Sequence, residues 1–284
     1  MRPWLYRATV EINERFRIRG VAELVNTTYF AGRRVDFWAP NEPTEYLLVA
    51  HDGQNIFDKR TATRRRTWKL AQSANRIFRN AGLTPPVIIA VFHSSSKENI
   101  NGRGKDLTPQ GIFQSGVKPI LANIPPKMRL ELADLNGDLY QSQITEEIIP
   151  TITEAINHQI NPSKTAMVGS SMGGLATLYG FGKYPDLYKT ALAFSTHWTL
   201  GGDPLVKSLI AHLPKPVDHK LWLSSGGKGL DQSYIPHHKY AKELLVQNNW
   251  QSGRNLKIKD FKRARHNENA WANQVDQALQ FWIN

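Results

Sequence analysis

TAMVGSSMGG (residues 165–174) is the stretch on which the fold turns. Its first half is an apolar run of strand length, its end opens the helix-compatible LATLYGFGKYP (175–185), and between them Gly169, Ser171 and Gly173 form a G-x-S-x-G pattern. A serine hydroxyl is a poor nucleophile unless a tight strand-to-helix turn lifts it into a cleft, and that turn needs residues without bulky side chains two positions to either side. The start of the following helix also brings positive dipole and free N–H groups to the place where an oxyanion would form. The same residues could be a glycine-rich turn with a spectator serine, but a strand before and a helix after favour Ser171 as a nucleophile.

Upstream, YLLVAHD (46–52) and TPPVIIAVFHS (84–94) are apolar runs typical of parallel strands buried on both faces, with a helix expected between them over 68–79. Downstream, strands are expected at 165–169, 190–194, 219–225 and 256–261, and helices at 235–249 and 269–282. That alternation describes an α/β fold with a mostly parallel, doubly wound sheet and helices on both faces. Residues 8–39, with TVEI, VAELV and RVDFWAP, read instead as antiparallel strands and hairpins. Residues 95–136 are polar, rich in Gly and Pro and poorly periodic, which suggests a long lid-like or substrate-binding insertion over the active-site face of a single domain spanning 1–284.

In this kind of sheet a catalytic set follows the chain order Ser, then Asp or Glu, then His, each on a loop after a strand. Of nine histidines, only His266 in KRARHNENAWANQ lies after a late strand and before the final helix; His51 and His197 also end strands. The first carboxylate after HKLWLSS is Asp231, in a glycine-flanked loop that can curl back toward the histidine; Asp203 follows an earlier strand and Glu268 is too close to His266 in sequence. An oxyanion hole needs one backbone donor from the residue after the nucleophile, Met172, and one from the loop after an early strand, where AHDGQNIFD (50–58) makes Gln54 the choice. Trp68, Ser170 and Trp198 are the candidate substrate-binding residues.

Composition narrows the chemistry further. The 284 residues include no cysteine, which removes disulfides, thiolate metal sites and a cysteine nucleophile. HExxH and GxGxxG signatures are missing, so no metal or organic cofactor is called for. The first residues are charged throughout and lack a signal-like apolar core, and no run approaches the roughly 20 apolar residues of a membrane span, leaving the cytoplasm as the expected compartment. A net charge of +12 favours anionic partners. Basic residues follow the oxyanion loop (Lys59, Arg60, Arg64, Arg65, Arg66, Lys69) and lead into His266 (Lys257, Lys259, Lys262, Arg263, Arg265).

Taken together, HDGQNIFD (51–58) with Trp68, GDLYQSQITEEIIPTI (137–152), VGSSMGGLATLYG (168–180), GLDQSY (229–234) and HNENAWANQVDQALQFW (266–282) resemble the putative esterase family of α/β-hydrolases. That family groups enterochelin-esterase-like, feruloyl-esterase-like, tributyrin-esterase-like and S-formylglutathione-hydrolase-like enzymes with the mycolyltransferases. The resemblance covers roughly residues 30 to 284 and implies an α/β-hydrolase fold with Ser171, Asp231 and His266 as triad and Gln54 and Met172 as oxyanion donors. RTATRRRTWK (60–69) and residues 95–136 depart from the family pattern, which bears on substrate rather than reaction type. The expected activity is hydrolysis of a small-molecule carboxylic ester, anionic ones included, through an acyl-enzyme. Two alternatives stand beside it: an acyltransferase on the same triad, and a non-catalytic polyanion-binding module, against which the absence of a nucleic-acid motif weighs.

Overall fold

Leu47–Ala50 and Val87–Val91 are apolar at every position, a pattern that suits a strand covered on both faces. In the computed structural model, which describes residues 10–120 and 129–284, both are central. The described strands are β1 (Glu14–Phe16), β2 (Val25–Phe30), β3 (Arg33–Trp38), β4 (Leu47–Ala50), β5 (Val87–Val91), β6 (Thr165–Ser170), β7 (Thr190–Phe194), β8 (Lys220–Lys228) and β9 (Leu256–Arg265). They form one sheet in the order β1-β2-β3-β5-β4-β6-β7-β8-β9. The run from β5 to β9 is parallel, and β1, β2 and β3 join antiparallel, as the β-branched N-terminal segments predict. This is the α/β-hydrolase arrangement.

Alternation along each strand divides the core into two layers. Leu47, Val49, Met167, Ala193 and Leu223 face one side, under α6 (Met172–Lys183), α7 (Gly202–His212) and α8 (Ile235–Gln247). Leu48, Ala50, Val168, Phe194 and Trp222 face the other, under α1 (Leu70–Asn80) and α10 (Val275–Ile283). Each fully buried Leu or Phe contributes about 1.5–3 kcal/mol, so both layers are held by burial rather than by the scattered surface ion pairs.

The insertion expected over 95–136 lies partly outside the described residues, at 121–128, and its described part is not featureless. It includes α2 (Gly102–Leu107) and α3 (Gln110–Gln114), whose Leu107, Ile112 and Phe113 join the first core layer. Helices of six and five residues are too short to display a 3.6-residue period. The helix before β6 begins with α4 (Gly137–Ser142), runs through a π stretch over Gln143–Ile148 and ends as α5 (Ile149–Ala155), where Pro150 lacks the N–H that a regular ladder would use. The last helical segment is split into α9 (Glu268–Ala272) and α10. Strand β9 continues four residues beyond Phe261, to Arg265, which sets where His266 leaves the sheet.

Because β5 lies on one side of β4 and β6 on the other, the carboxyl ends of β4 and β6 border a topological switch point, where open α/β sheets leave a crevice. Ser171 and the Asp52–Asn55 loop open from those ends.

Candidate active site

At the end of β6 the chain reverses sharply into α6, and Ser171 carries the turn at φ 55°, ψ −120°. Strain at a non-glycine residue with positive φ persists only when its surroundings over-determine it. Here the Ser171 N–H donates to the Phe194 carbonyl (2.9 Å), and its own carbonyl accepts from Gly174 (3.0 Å), Leu175 (3.2 Å) and His197 (3.1 Å). A Cβ at Gly169 would stand 2.4 Å from the Gly173 carbonyl oxygen, so the elbow closes only with glycine there. Met172 is the first residue of α6, and its N–H has no intrahelical acceptor.

On the far side of the crevice His266 follows β9, and its Nδ1 lies 2.7 Å from Asp231 Oδ1. Asp231 sits in the short 3-10 helix Gly229–Tyr234 after β8 and is completely buried. Its second oxygen accepts from Ser195 Oγ (3.1 Å), which in turn accepts from the Trp271 indole N–H (3.1 Å). With Nδ1–H donating to the carboxylate, Nε2 is left as the basic nitrogen of a neutral His266. Trp271 (ring centroids 4.9 Å apart) and Tyr234 (5.5 Å) both pack edge-on against the imidazole. The Tyr234 hydroxyl bonds His197 Nδ1, so Tyr234 packs on His266 while holding a second imidazole.

The third component is the loop after β4. Asp52 turns it through a left-handed conformation (φ 53°), and Gly53–Asn55 form a single 3-10 turn. A Cβ at Gly53 would meet the Ala90 carbonyl oxygen and the Phe92 ring at 2.7 Å, which fixes glycine there. Thr61 Oγ1 donates to the Gln54 carbonyl (2.8 Å) and the Trp68 N–H to the Asn55 carbonyl (2.9 Å), tying the loop to the basic segment behind it. The loop rests on the first turn of α6: a Cβ on Gly173 would lie 3.2 Å from Asp52 Oδ2 and 3.3 Å from the His51 Cβ. Asp52 is gripped on both oxygens by Arg103 of α2, at 2.7 Å each.

Thus Asp231 and His266, 35 residues apart, are brought into contact, and Ser171, Met172 and the Gln54 turn follow the carboxyl ends of β6 and β4 on the same edge of the sheet. Ser170 is buried directly before the elbow. Trp68 and Trp198 lie elsewhere than at an open cleft wall. Trp68 is 3% exposed and packed between Phe194 and Trp271, and Trp198 is fully buried in the opposite core layer. Trp68 stands just before α1 and Trp198 opens a 3-10 turn after β7, and sequence position there does not separate filling the layer beneath the crevice from lining it. Sequence reasoning passed over Arg103, Ser195 and Tyr234. Tyr234 stands three residues after Asp231 within the stretch already singled out, whereas nothing local marks Arg103.

Burial pushes His51 and His197 down to about 4, with the charges of His266 and Arg103 adding to the effect at His197. Both are neutral in the fold well below the pH at which an unfolded histidine, near 6.5, takes up its proton. The unfolded chain therefore binds more protons between those values. The stability these two residues contribute is full above about pH 6.5 and is lost as pH falls toward 4, by on the order of a few kcal/mol for the pair. Thermal melts stepped from pH 7 to pH 4.5 should fall across that window, and less steeply in His51→Gln. Equal slopes for the two proteins would remove His51 as a cause.

The basic residues divide by position. Arg64, Arg65 and Arg66 are exposed and, among the described residues, make no ion pair; Arg60 is paired with Asp58 and Glu14. Arg64 (φ 52°), Arg65 (φ 57°) and Lys69 (φ 53°) all hold left-handed backbone, in a loop pinned by the Thr63 N–H to Asn55 Oδ1 (2.8 Å). On β9 the cluster is strung along a strand that rises about 3.3 Å per residue, so Lys257 lies about 26 Å from Arg265 and away from the His266 end. Among the described residues no group of three or more His, Asp or Glu is placed to hold a metal, and no helix is long and apolar enough to cross a membrane.

Residues 134–281, just over half the chain and including the elbow, Asp231 and His266, match the family described as Putative esterase. The chain belongs to that family. Uncharacterized protein YbbA of Bacillus subtilis (strain 168) is 26% identical over 159 residues, 52% of this chain and 60% of that protein. The crystal structure of the enterobactin esterase FES from Shigella flexneri superposes with a TM-score of 0.59 at 17% identity, over 88% of this chain and 55% of that one. The BES protein from Bacillus cereus superposes with a TM-score of 0.63 at 16% identity, over 95% and 98% of the two chains. This chain therefore matches a little over half the length of YbbA and of the enterobactin esterase, and at these identities the likeness to the solved structures is one of fold.

Proposed function

We propose that this protein is a serine esterase in which Ser171 is the nucleophile, His266 the general base and Asp231 the residue that orients it. The observation that carries the reading is the buried Asp231 carboxylate 2.7 Å from His266 Nδ1, across the crevice from a serine held at a strained strand-to-helix elbow. Ser171 Oγ attacks the ester carbonyl carbon while its proton passes to His266 Nε2. The tetrahedral oxyanion is held by the N–H groups of Gln54 and Met172. Collapse expels the alcohol, which takes the proton from His266, and water repeats the sequence on the acyl-enzyme. Membership of the Putative esterase family supports ester chemistry, as does the fold shared with an enterobactin esterase.

Esters bearing a carboxylate, phosphate or sulfate are the substrate class that the surface favours. Unpaired Arg64–Arg66 stand on a loop anchored to the Gln54 turn, within reach of steering over a Debye length of roughly 10 Å. The test is a matched pair of p-nitrophenyl esters, one neutral and one anionic, assayed from low to high salt. We expect hydrolysis of both, with kcat/KM for the anionic ester falling steeply as salt rises and the neutral ester nearly level. Absence of hydrolysis across an ester panel would overturn the esterase reading, and transfer to added alcohols in excess of hydrolysis would make the enzyme an acyltransferase. Parallel salt curves would overturn steering alone.

A further inference from the structure

The loop assigned above to oxyanion binding contains an electrostatic conflict. Asp52 immediately precedes Gly53 and Gln54, is 5% exposed, and lies against the first turn of α6, where a Cβ on Gly173 would come within 3.2 Å of Oδ2. A buried carboxylate beside both N–H donors repels the negative charge that those donors are there to stabilise, and its own burial weakens the screening of that repulsion. The same carboxylate is structurally useful. It sits at the left-handed turn of the loop and accepts from Gln54 Nε2 (3.2 Å).

Arg103 resolves the conflict. Its Nε and Nη2 each lie 2.7 Å from a different oxygen of Asp52, the two-pronged geometry that fixes both charge and orientation. Burial works against the Asp52 charge, and the adjacent guanidinium outweighs it, holding the carboxyl below the ordinary range. Arg103 is itself firmly placed. Its N–H donates to Ser95 Oγ (2.7 Å), Asp106 of the same helix accepts from the Ser94 N–H (2.7 Å) and from Arg33 (2.8 Å), and a Cβ on neighbouring Gly102 would clash with the Ser94 and Ser95 backbone at 2.5 Å. The Glu268 carboxylate, too, favours the charged guanidinium.

We propose that Arg103, from the segment that departs from the family pattern, is a positioning residue for the oxyanion loop. It neutralises the buried Asp52 carboxylate and pins the left-handed turn, so that the Gln54 and Met172 N–H groups meet the developing oxyanion without an opposing charge beside them. This inference rests on the serine-esterase reading given above.

Neutralisation and direct substrate binding give opposite mutational patterns. Arg103→Met leaves an unpaired buried carboxylate at the oxyanion site, and kcat on a neutral ester should fall on the order of 100-fold, the scale of losing one oxyanion donor, with KM within about threefold. Arg103→Lys keeps the charge without the fork and should lose only about tenfold. Adding Asp52→Asn to Arg103→Met removes the offending charge and should return at least about tenfold of the lost kcat, although it removes a second native side chain. The affinity of a trifluoromethyl ketone, whose hemiketal on Ser171 carries the oxyanion, should track kcat/KM across the set. A double variant no faster than Arg103→Met would overturn the proposal, as would a loss confined to KM for anionic esters. So would unchanged kcat per fluorophosphonate-titrated site in Arg103→Met, whatever its melting temperature. Failure of the wild-type enzyme to react with the fluorophosphonate would instead sink the serine-esterase reading itself, which keeps the two failures distinct.

Discussion

Ser171→Ala is expected to remove turnover by on the order of 10⁴-fold or more while leaving the fold and its melting temperature nearly intact. The size follows from the way such a set works: nucleophile, base and orienting acid act as a unit, so deletion of the atom that forms the covalent bond leaves only what binding and oxyanion donors supply. The fold should survive because the elbow is held by backbone atoms. The Ser171 N–H and carbonyl make four hydrogen bonds that an alanine keeps, and the glycines at 169 and 173 are untouched. Alanine tolerates the positive φ no worse than serine does. The measurement is kcat on the best ester found, together with mass spectrometry after fluorophosphonate treatment, which should add one adduct to the Ser171 peptide of the wild type and none to the variant. Retention of more than about a tenth of wild-type kcat, or an adduct on another residue, would remove Ser171 from the mechanism.

Asp231→Asn should come second, with a loss on the order of 10³- to 10⁴-fold in kcat. The carboxylate accepts from His266 Nδ1 (2.7 Å) and Ser195 Oγ (3.1 Å) in a place with no access to water, so it has no competing partners. An amide there can turn its NH2 toward Nδ1, making that nitrogen the acceptor and placing the imidazole proton on Nε2, where the base is needed. The tautomer is then wrong even though every heavy atom stays in place. Space does not allow much adjustment: a Cβ on Gly226 would already lie 2.1 Å from Asp231 Oδ2, and Ser195, at φ 43°, is held by its own N–H to the Ser224 carbonyl (2.7 Å). A kcat for Asp231→Asn within tenfold of wild type would show that His266 is oriented by something else, Glu268 being the nearest other carboxylate in sequence.

The parallel half of the sheet was legible because its strands announce themselves locally. VIIAV and LLVA are apolar at every position, TALAF is predicted to the residue, and the strand-to-helix elbow is a pattern of a few residues whose glycines have a single steric purpose. The order Ser171, Asp231, His266 is equally local in origin. In a parallel sheet the loops after successive strands all open on the same edge, so chain order along the strands becomes spatial order along the crevice. The boundaries that went astray did so for physical reasons. α2 and α3 are each under two turns, and β9 runs past Phe261 to Arg265, carrying polar residues on a sheet edge where burial imposes no alternation.

By itself, then, the sequence determined which residues turn, which are buried in strands, and in what order the proposed triad side chains follow their strands, since those depend on neighbours a few positions away. Tertiary structure decided what depends on distance through space. It put Trp68 and Trp198 into the two core layers, joined Trp271, Ser195 and Asp231 behind His266, and spread the β9 lysines over about 26 Å of strand. It also brought Arg103, 51 residues along the chain, onto Asp52. A guanidinium in a polar, aperiodic segment has no local signature of its partner. Only packing of α2 against the Ser94–Ser95 backbone and α6 tells this one arginine apart from the exposed ones that merely carry charge.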